Sequence, residues 1–371
     1  MTLIALTVNN IFEGGIGFPV LMADILISNK HFAGNIPTPT HAQGTSHFFN
    51  DSSKYHPIDL NQKLYIINDR LCVALGGMVT EMTTFLKRLR LLYSSVDFDD
   101  EDLWNFVDDF GKNDGTHMFA IVLKCAKDKS GFQVTTIGIK HDNQIQSQLF
   151  GSVIASGTGA RQLVEFIADQ PYYTTDIKDT DAFVASNLSL IAHFLGMEVL
   201  NGTTLTEAWG GGFEMITFRD GKFIKLPEYT VVITDTEIQN NLEFEAPPPC
   251  LALFFSYSND VLIVKAANDY GEWNFAIPSI LDEERIITVT DALPKQNPLL
   301  MPYIFRRIDN GKNYYIATVN PKNVYERDKS PVYFERGANG KLNVWKDFNQ
   351  DLFALHAALT QGGVKIISKE I

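Results

Sequence analysis

The order of apolar patterns along the 371-residue chain predicts an α+β protein with a β-rich C-terminal part. Strand-like runs come first, amphipathic stripes follow, and strands return, which is the order of a layered domain rather than of repeated βαβ units. Two helical stripes are explicit. Met82, Phe85, Leu86 and Leu89 recur at i, i+3, i+4 and i+7, and Val184, Leu188, Ile191 and Leu195 form the other. A composition break at Glu243–Pro249, ending in three consecutive prolines, marks a boundary. A chain of this length suits roughly two domains, expected at residues 1–240 and 250–371.

Thr2–Val8 reads as a strand, Glu13–Gly17 as a Gly-rich turn and Pro19–Ser28 as a second strand. Residues 29–62, rich in Pro, Gly, Ser, Asn and His, read as a long inserted loop. Lys63–Asn68 and Arg70–Leu75 are strands, the latter running into Gly76-Gly77 and then the first helix, whose Lys87, Arg88 and Arg90 form a solvated side. An acidic segment, Asp97–Asp109, precedes strands at Met118–Cys125, Phe132–Ile139 and Ser152–Ala155. Ser156-Gly157-Thr158-Gly159 turns into a helix over Ala160–Ala168, and a second helix carries the Val184 stripe. Gly210-Gly211-Gly212 precedes a hairpin, Phe213–Phe218 and Phe223–Leu226, turning at Asp220-Gly221. Beyond the prolines lie short strands at Leu251–Tyr257, Val261–Ala266, Trp273–Ile277, Ile286–Thr290, Tyr303–Ile308 and Tyr314–Val319. A closing helix is expected over Phe348–Thr360, stopped by Gly362-Gly363.

At 45% hydrophobic and 20% charged, the composition supports a sizeable core. A net charge of −13 argues against a nucleic-acid partner, because a phosphate backbone needs a basic patch. No run reaches the ~18 apolar residues of a membrane span. Met1–Val8 lacks the basic flank of a signal peptide. Cys72 and Cys125 lie in apolar runs, and with Cys250 they make no CxxC spacing, so a reducing, cytoplasmic setting is expected. His41, His47 and His56 have no metal-ligand spacing and read as solvated loop residues, while His193 lies on a helix. Ser156-Gly157-Thr158-Gly159 lacks the following Lys of a phosphate loop, so neither cofactor nor metal is expected.

The chemistry-bearing feature is Thr2. Trimming of Met1 would leave a threonine with a hydroxyl and a free α-amine of pKa about 7.7–8.0, a base placed beside its own nucleophile. Several ordered segments accompany it: Thr2-Leu3-Ile4-Ala5, Val20-Leu21-Met22-Ala23-Asp24, Lys63-Leu64-Tyr65-Ile66-Ile67, Ala74-Leu75-Gly76-Gly77, Gly157-Thr158-Gly159-Ala160, and Glu207-Ala208-Trp209-Gly210-Gly211-Gly212. Together they make the first ~235 residues resemble the proteasome β-subunit family of N-terminal-nucleophile hydrolases.

The resemblance implies a four-layer α-β-β-α sandwich, a peptide or small amide substrate, and a homo-oligomer. It also implies roles. Thr2 attacks, Lys63 tunes it, Asp24 positions Lys63, the Gly76 N–H receives the oxyanion, and Thr158 and Glu207 support the amine end. Glu207 and Gly210 stand where the family usually has Asp and Ser. The family also has a small residue four positions after its nucleophile, where this chain has Leu6 if Thr2 is counted and Ala5 if Met1 is. A catalytically inactive scaffold or assembly subunit that binds a protein partner is therefore the alternative. A small-amide hydrolase of the same superfamily is a third reading.

Overall fold

A computed structural model describes residues 2–9, 17–30, 35–49, 53–128, 131–140, 143–147, 149–168, 180–226, 228–236, 249–258, 260–268 and 270–281, and short strands at 299–300, 304–307, 313–320, 334–336 and 342–344. It is mixed α+β, and every strand pairing among the described residues is antiparallel.

β1 (Leu3–Asn9) pairs with β2 (Phe18–Asp24). In β1 both faces are covered, which is why Leu3-Ile4-Ala5-Leu6 is a continuous apolar run instead of an alternating one. Leu3 and Ala5 join one apolar cluster, Ile4 and Leu6 another. The expected strand over Pro19–Ser28 is divided. β2 stops at Asp24, and β3 (Leu26–Asn29) leaves to pair with β4 (His56–Leu60), Leu26 opposite Leu60. Residues 29–62 are thus more than a loop, since they carry β4 and a turn of 3-10 helix at Ser46–Phe48. Pro57 is tolerated because β4 has only one neighbour.

β5 (Leu64–Asn68) and β6 (Leu71–Gly77) run into α1 (Val79–Tyr93), which buries Met82, Phe85, Leu86 and Leu89 as its stripe requires. The acidic segment is a helix, α2 (Asp100–Asn113). Asp99 caps it, accepting from the N–H groups of Glu101 at 2.7 Å and Asp102 at 3.3 Å. Acids in the first turn suit the positive end of a helix, and such a cap is worth about 1 kcal/mol. β7 (Met118–Cys125) and β8 (Phe132–Ile137) complete a sheet ordered β5-β6-β7-β8. Its outer face packs on α1 and α2 through Leu71, Val73 and Leu75.

β9 (Gln144–Ser147) and β10 (Gly151–Gly157) lead into α3 (Ala160–Ala168), α4 (Thr180–Asn201) and the single turn α5 (Thr203–Thr206). β11 (Phe213–Arg219) and β12 (Lys222–Lys225) form the expected hairpin. Its turn holds Asp220 at φ 53° and Gly221 at φ 79°, the double left-handed conformation that favours Asp-Gly there. The resulting sheet is ordered β12-β11-β2-β1-β10-β9. Ile4, Leu6, Leu21 and Ala23 from it meet Leu64, Cys72, Ala74 and Ile121 from the first sheet. Leu3, Ala5, Met22 and Ala155 on its other face meet Leu163, Leu188, Ile191 and Leu195 of α3 and α4.

β13 (Glu228–Thr236), β14 (Pro249–Ser258), β15 (Val261–Asn268) and β16 (Gly271–Ile277) pair in a further sheet. β13 also pairs with β19 (Asn313–Asn320), which adjoins the short strands β17 (Leu299–Leu300) and β18 (Ile304–Arg307). Tyr229, Val231, Leu253, Phe255 and Val264 belong to the same apolar cluster as Leu3 and Ile191. The expected strand at 286–290, the closing helix at 348–360, and residues 243–248 of the composition break lie outside the described residues. Among the described residues, no helix is long and apolar enough to cross a membrane.

Candidate active site

Antiparallel pairing puts the beginning of β1 beside the end of β2, with Ile4 opposite Ala23. Asp24 therefore meets Thr2 and Leu3. Its Oδ1 accepts from the Thr2 hydroxyl, from the Leu3 N–H at 2.7 Å and from Lys63 Nζ at 2.7 Å. Its Oδ2 accepts from the N–H groups of Gly210 at 2.9 Å and Leu26 at 3.3 Å. Lys63 enters from just before β5. Its ammonium donates to Asp24 Oδ1, to the Leu26 carbonyl at 2.6 Å and to the Thr2 hydroxyl, matching the three donors of an ammonium to three acceptors.

Thr2, Asp24 and Lys63 are all essentially inaccessible, at 1%, 0% and 1% exposure. Burial lowers the Lys63 pKa from the ordinary lysine value, while the charge and hydrogen bond of Asp24 and the charge of Glu214 oppose that fall. A cation with weakened proton affinity beside a hydroxyl can stabilise an alkoxide and exchange a proton with it.

Gly76 sits against Thr2. A Cβ there would lie 2.5 Å from Thr2 Cγ2 and 2.2 Å from Phe119 Cε2, so no larger residue leaves Thr2 its place. The Gly76 N–H, however, is turned away from the role expected of it. The Leu75 N–H donates to Lys63 at 2.9 Å and the Met78 N–H to His117 at 3.0 Å. Successive N–H groups of a strand alternate in direction, so that of Gly76 faces β7 at Phe119 and that of Gly77 faces the Lys63 side. The N–H on the Lys63 side is therefore that of Gly77, while that of Gly76 is directed into the β6–β7 pairing. Gly77 has φ +104°, and a Cβ on it would meet the His117 carbonyl at 2.3 Å.

The turn before α3 holds the main chain of Thr2. The Thr158 hydroxyl and the Gly159 N–H both reach the Thr2 carbonyl at 3.4 Å, and that oxygen fills the space where a Cβ on Gly157 would stand, 1.9 Å away. Glu207 is not drawn into this group. It caps the end of α5 with its side chain exposed, and its charge acts on Arg161. The reason is local geometry: after Glu207 the chain reverses through Ala208 at φ 67°, sending Trp209 inward and Gly210 onto Asp24.

Two further acids, Glu198 and Glu214, are fully buried beside this group. Glu198 on α4 accepts from the Thr40 and Thr204 hydroxyls, the latter at 2.5 Å, and from the Gly211 N–H at 3.0 and 3.1 Å. Burial pushes its pKa up to about 7 against the pull of these bonds, and the charge of Asp24 adds to the rise. The signal was present, since position 198 continues the spacing of Val184, Leu188, Ile191 and Leu195 with an acid where an apolar residue is due. Glu214 on β11 accepts from the N–H groups of Lys63 at 2.6 Å and Leu64 at 3.1 Å, and from Tyr257 Oη at 3.1 Å and Lys225 Nζ at 3.3 Å. Through Tyr257, β14 touches the carboxylate that fixes the Lys63 backbone. Gln62 extends the link by donating to the carbonyls of Asp260 at 2.7 Å and Ile277 at 2.8 Å.

The histidines differ from expectation at two positions: His56 is half-buried at the start of β4, its ring 5.5 Å from that of Phe49, and His41 is the other. His41 is partly buried against the edge of Phe48, and burial, then the neighbouring His47, lower its pKa to about 4. His193 is a packed residue, stacked on Phe166 at 4.1 Å. Comparison with protein-family models and with curated proteins finds no match for this chain.

Proposed function

We propose that this chain is an N-terminal-threonine hydrolase of the proteasome β-subunit type, cleaving peptide or small amide bonds through an acyl-enzyme. In this reading α1 and α2, the two facing sheets, and α3 with α4 are the four layers of an α-β-β-α sandwich, and β14–β16 belong to the accessory part. The observation that carries it is the buried Lys63 ammonium donating to the Thr2 hydroxyl while Asp24 holds both. Thr2 itself contacts Lys63, which favours counting the nucleophile from Thr2.

Cleavage of the Met1–Thr2 bond frees the α-amine. That amine takes the hydroxyl proton through a water, Thr2 Oγ1 attacks the substrate carbonyl, and Lys63 steadies the developing alkoxide. The Gly77 N–H receives the oxyanion, a contribution of about 2.7–4 kcal/mol for one such donor. Collapse of the tetrahedral adduct expels the amine product, which recovers the proton. Water then hydrolyses the Thr2 ester and restores the hydroxyl.

Intact-mass measurement tests the premise: a purified, folded chain that retains Met1 overturns the peptidase reading. With Met1 removed, a threonine-reactive electrophile is expected to label Thr2, and Thr2→Ala or Lys63→Ala to abolish labelling. The second reading, an inactive scaffold in a homo-oligomer, is favoured by the exposed Glu207 and by Leu6. Retained Met1 together with a large assembly on gel filtration would support it.

A further inference from the structure

We propose that Glu198 is a positioning residue for the Thr2 site: its carboxylate holds Gly210-Gly211 so that the Gly210 N–H stays on Asp24, and through Thr40 it ties the 35–49 loop to that arrangement. The inference rests on the threonine-hydrolase reading and names what keeps its carboxylate in place.

The geometry is a relay of short contacts. Asp24 Oδ2 receives the Gly210 N–H at 2.9 Å, and the Gly211 N–H beside it is shared by the two Glu198 oxygens at 3.1 and 3.0 Å. The same peptide segment is pinned from its carbonyl side, where Gly210 accepts from the Leu26 N–H at 3.2 Å. The Glu198 carboxylate occupies the space in which a side chain on residue 210 would lie. A Cβ there would meet Glu198 Oε2 at 2.0 Å and Thr204 Oγ1 at 2.8 Å, at a backbone φ of +107°. Gly210 is a glycine because the carboxylate fills its side, and the carboxylate is steadied by the N–H that follows.

The groups facing Glu198 are the Thr40 hydroxyl from the loop, Thr204 from α5, the Gly211 N–H and, across Gly210, Asp24. Behind Thr40 stands His41, whose Nδ1 is 3.2 Å from the Thr40 hydroxyl, with His47 next to it. Among the described residues no Lys or Arg forms an ion pair with Glu198. All three direct partners donate, so the ionised acid accepts every bond. A protonated acid must donate one, which reverses a hydroxyl and loosens the grip on Gly211.

Glu198→Gln imitates the protonated acid at every pH. The test is the rate of Thr2 labelling by a threonine-reactive electrophile, wild type against Glu198→Gln, from about pH 5.5 to about pH 8.5. Glu198→Gln is expected to label about ten-fold more slowly at the alkaline end, with the two rates converging at the acidic end where wild-type Glu198 is itself protonated. The free α-amine titrates in both proteins and cancels in the ratio. In parallel, the Gly210 and Gly211 amide resonances of ¹⁵N-glycine-labelled protein should titrate in wild type and stay flat in Glu198→Gln.

A rate ratio constant with pH, or Gly210 and Gly211 resonances that ignore pH in wild type, overturns the proposal. If wild type is not labelled at any pH, the threonine-hydrolase reading falls separately, and the glycine resonances alone decide the Glu198 coupling. Should Glu198→Gln fail to fold, Thr204→Val is expected to slow labelling in the same direction and Thr204→Ser to restore it. Equal rates for those two variants also overturn the proposal.

Discussion

Asp24 and Glu198 are both fully buried carboxylates, yet they are satisfied in different ways. Asp24 has a cation in contact, Lys63, together with a hydroxyl and the N–H groups of Leu3, Leu26 and Gly210. Among the described residues Glu198 has only neutral donors, two hydroxyls and one N–H, and its pKa rises to about 7. The contrast teaches that hydrogen bonds from neutral donors do not by themselves offset the cost of burying the Glu198 charge. One acid shares its site with an ammonium and the Thr2 hydroxyl. The other is built to change state near neutrality.

Removing the cation breaks the comparison most severely. Lys63→Met keeps the volume and leaves Asp24 buried without a counter-charge. Stability is expected to fall by about 3–5 kcal/mol by chemical denaturation, and Thr2 labelling should vanish.

The pH dependence of stability comes next and sharpens the contrast. Because the folded pKa of Glu198 is raised, its contribution is fully present below the ordinary value of 4.5 and is lost as pH rises through about 7. Wild type should therefore lose stability relative to Glu198→Gln across that window, by up to roughly 1.4 kcal/mol per pH unit. A trend of the opposite sign in denaturation midpoints would refute the raised acid.

Gly76→Ala alters shape at the Asp24 end without altering charge. Its methyl would press on Thr2 and Phe119, costing about 1–3 kcal/mol and suppressing labelling while the Glu198 titration survives. The smallest effect is expected from Tyr257→Phe, which removes one donor from Glu214. A loss of about 1 kcal/mol with a measurable drop in labelling would show that the sheet carrying β14 supports Lys63. Unchanged labelling would confine its role to stability.

Particular residues show how far the sequence could be read. The apolar stripe of α1, the Asp-Gly hairpin turn, and the choice of Thr2, Asp24 and Lys63 as companions all agree with the geometry. α2 is not evident in the acidic segment Asp97–Asp109, although Asp99 with three acids behind it is a helix start. β4 has no local signal of its own, because it depends on β3, where the chain changes sheets after Asp24. Glu207 has the chain position the resemblance implies but an exposed side chain, whereas Glu198 is buried through packing that local sequence alone does not encode.

By itself the sequence determined the local matters: which segments are amphipathic, where turns need glycine, and which side chains offer a hydroxyl, a cation and a counter-charge. Those depend on a period of two or 3.6 residues and on the backbone freedom of a single position. Only the tertiary structure decided that the Gly77 N–H and not that of Gly76 faces Lys63, that Glu207 looks outward, and that Glu198 stands behind Gly210. Strand register and long-range packing set the direction of a donor and the burial of an acid. A one-residue change of parity reverses the first, and the second depends on neighbours more than a hundred residues away, such as Thr40 for Glu198.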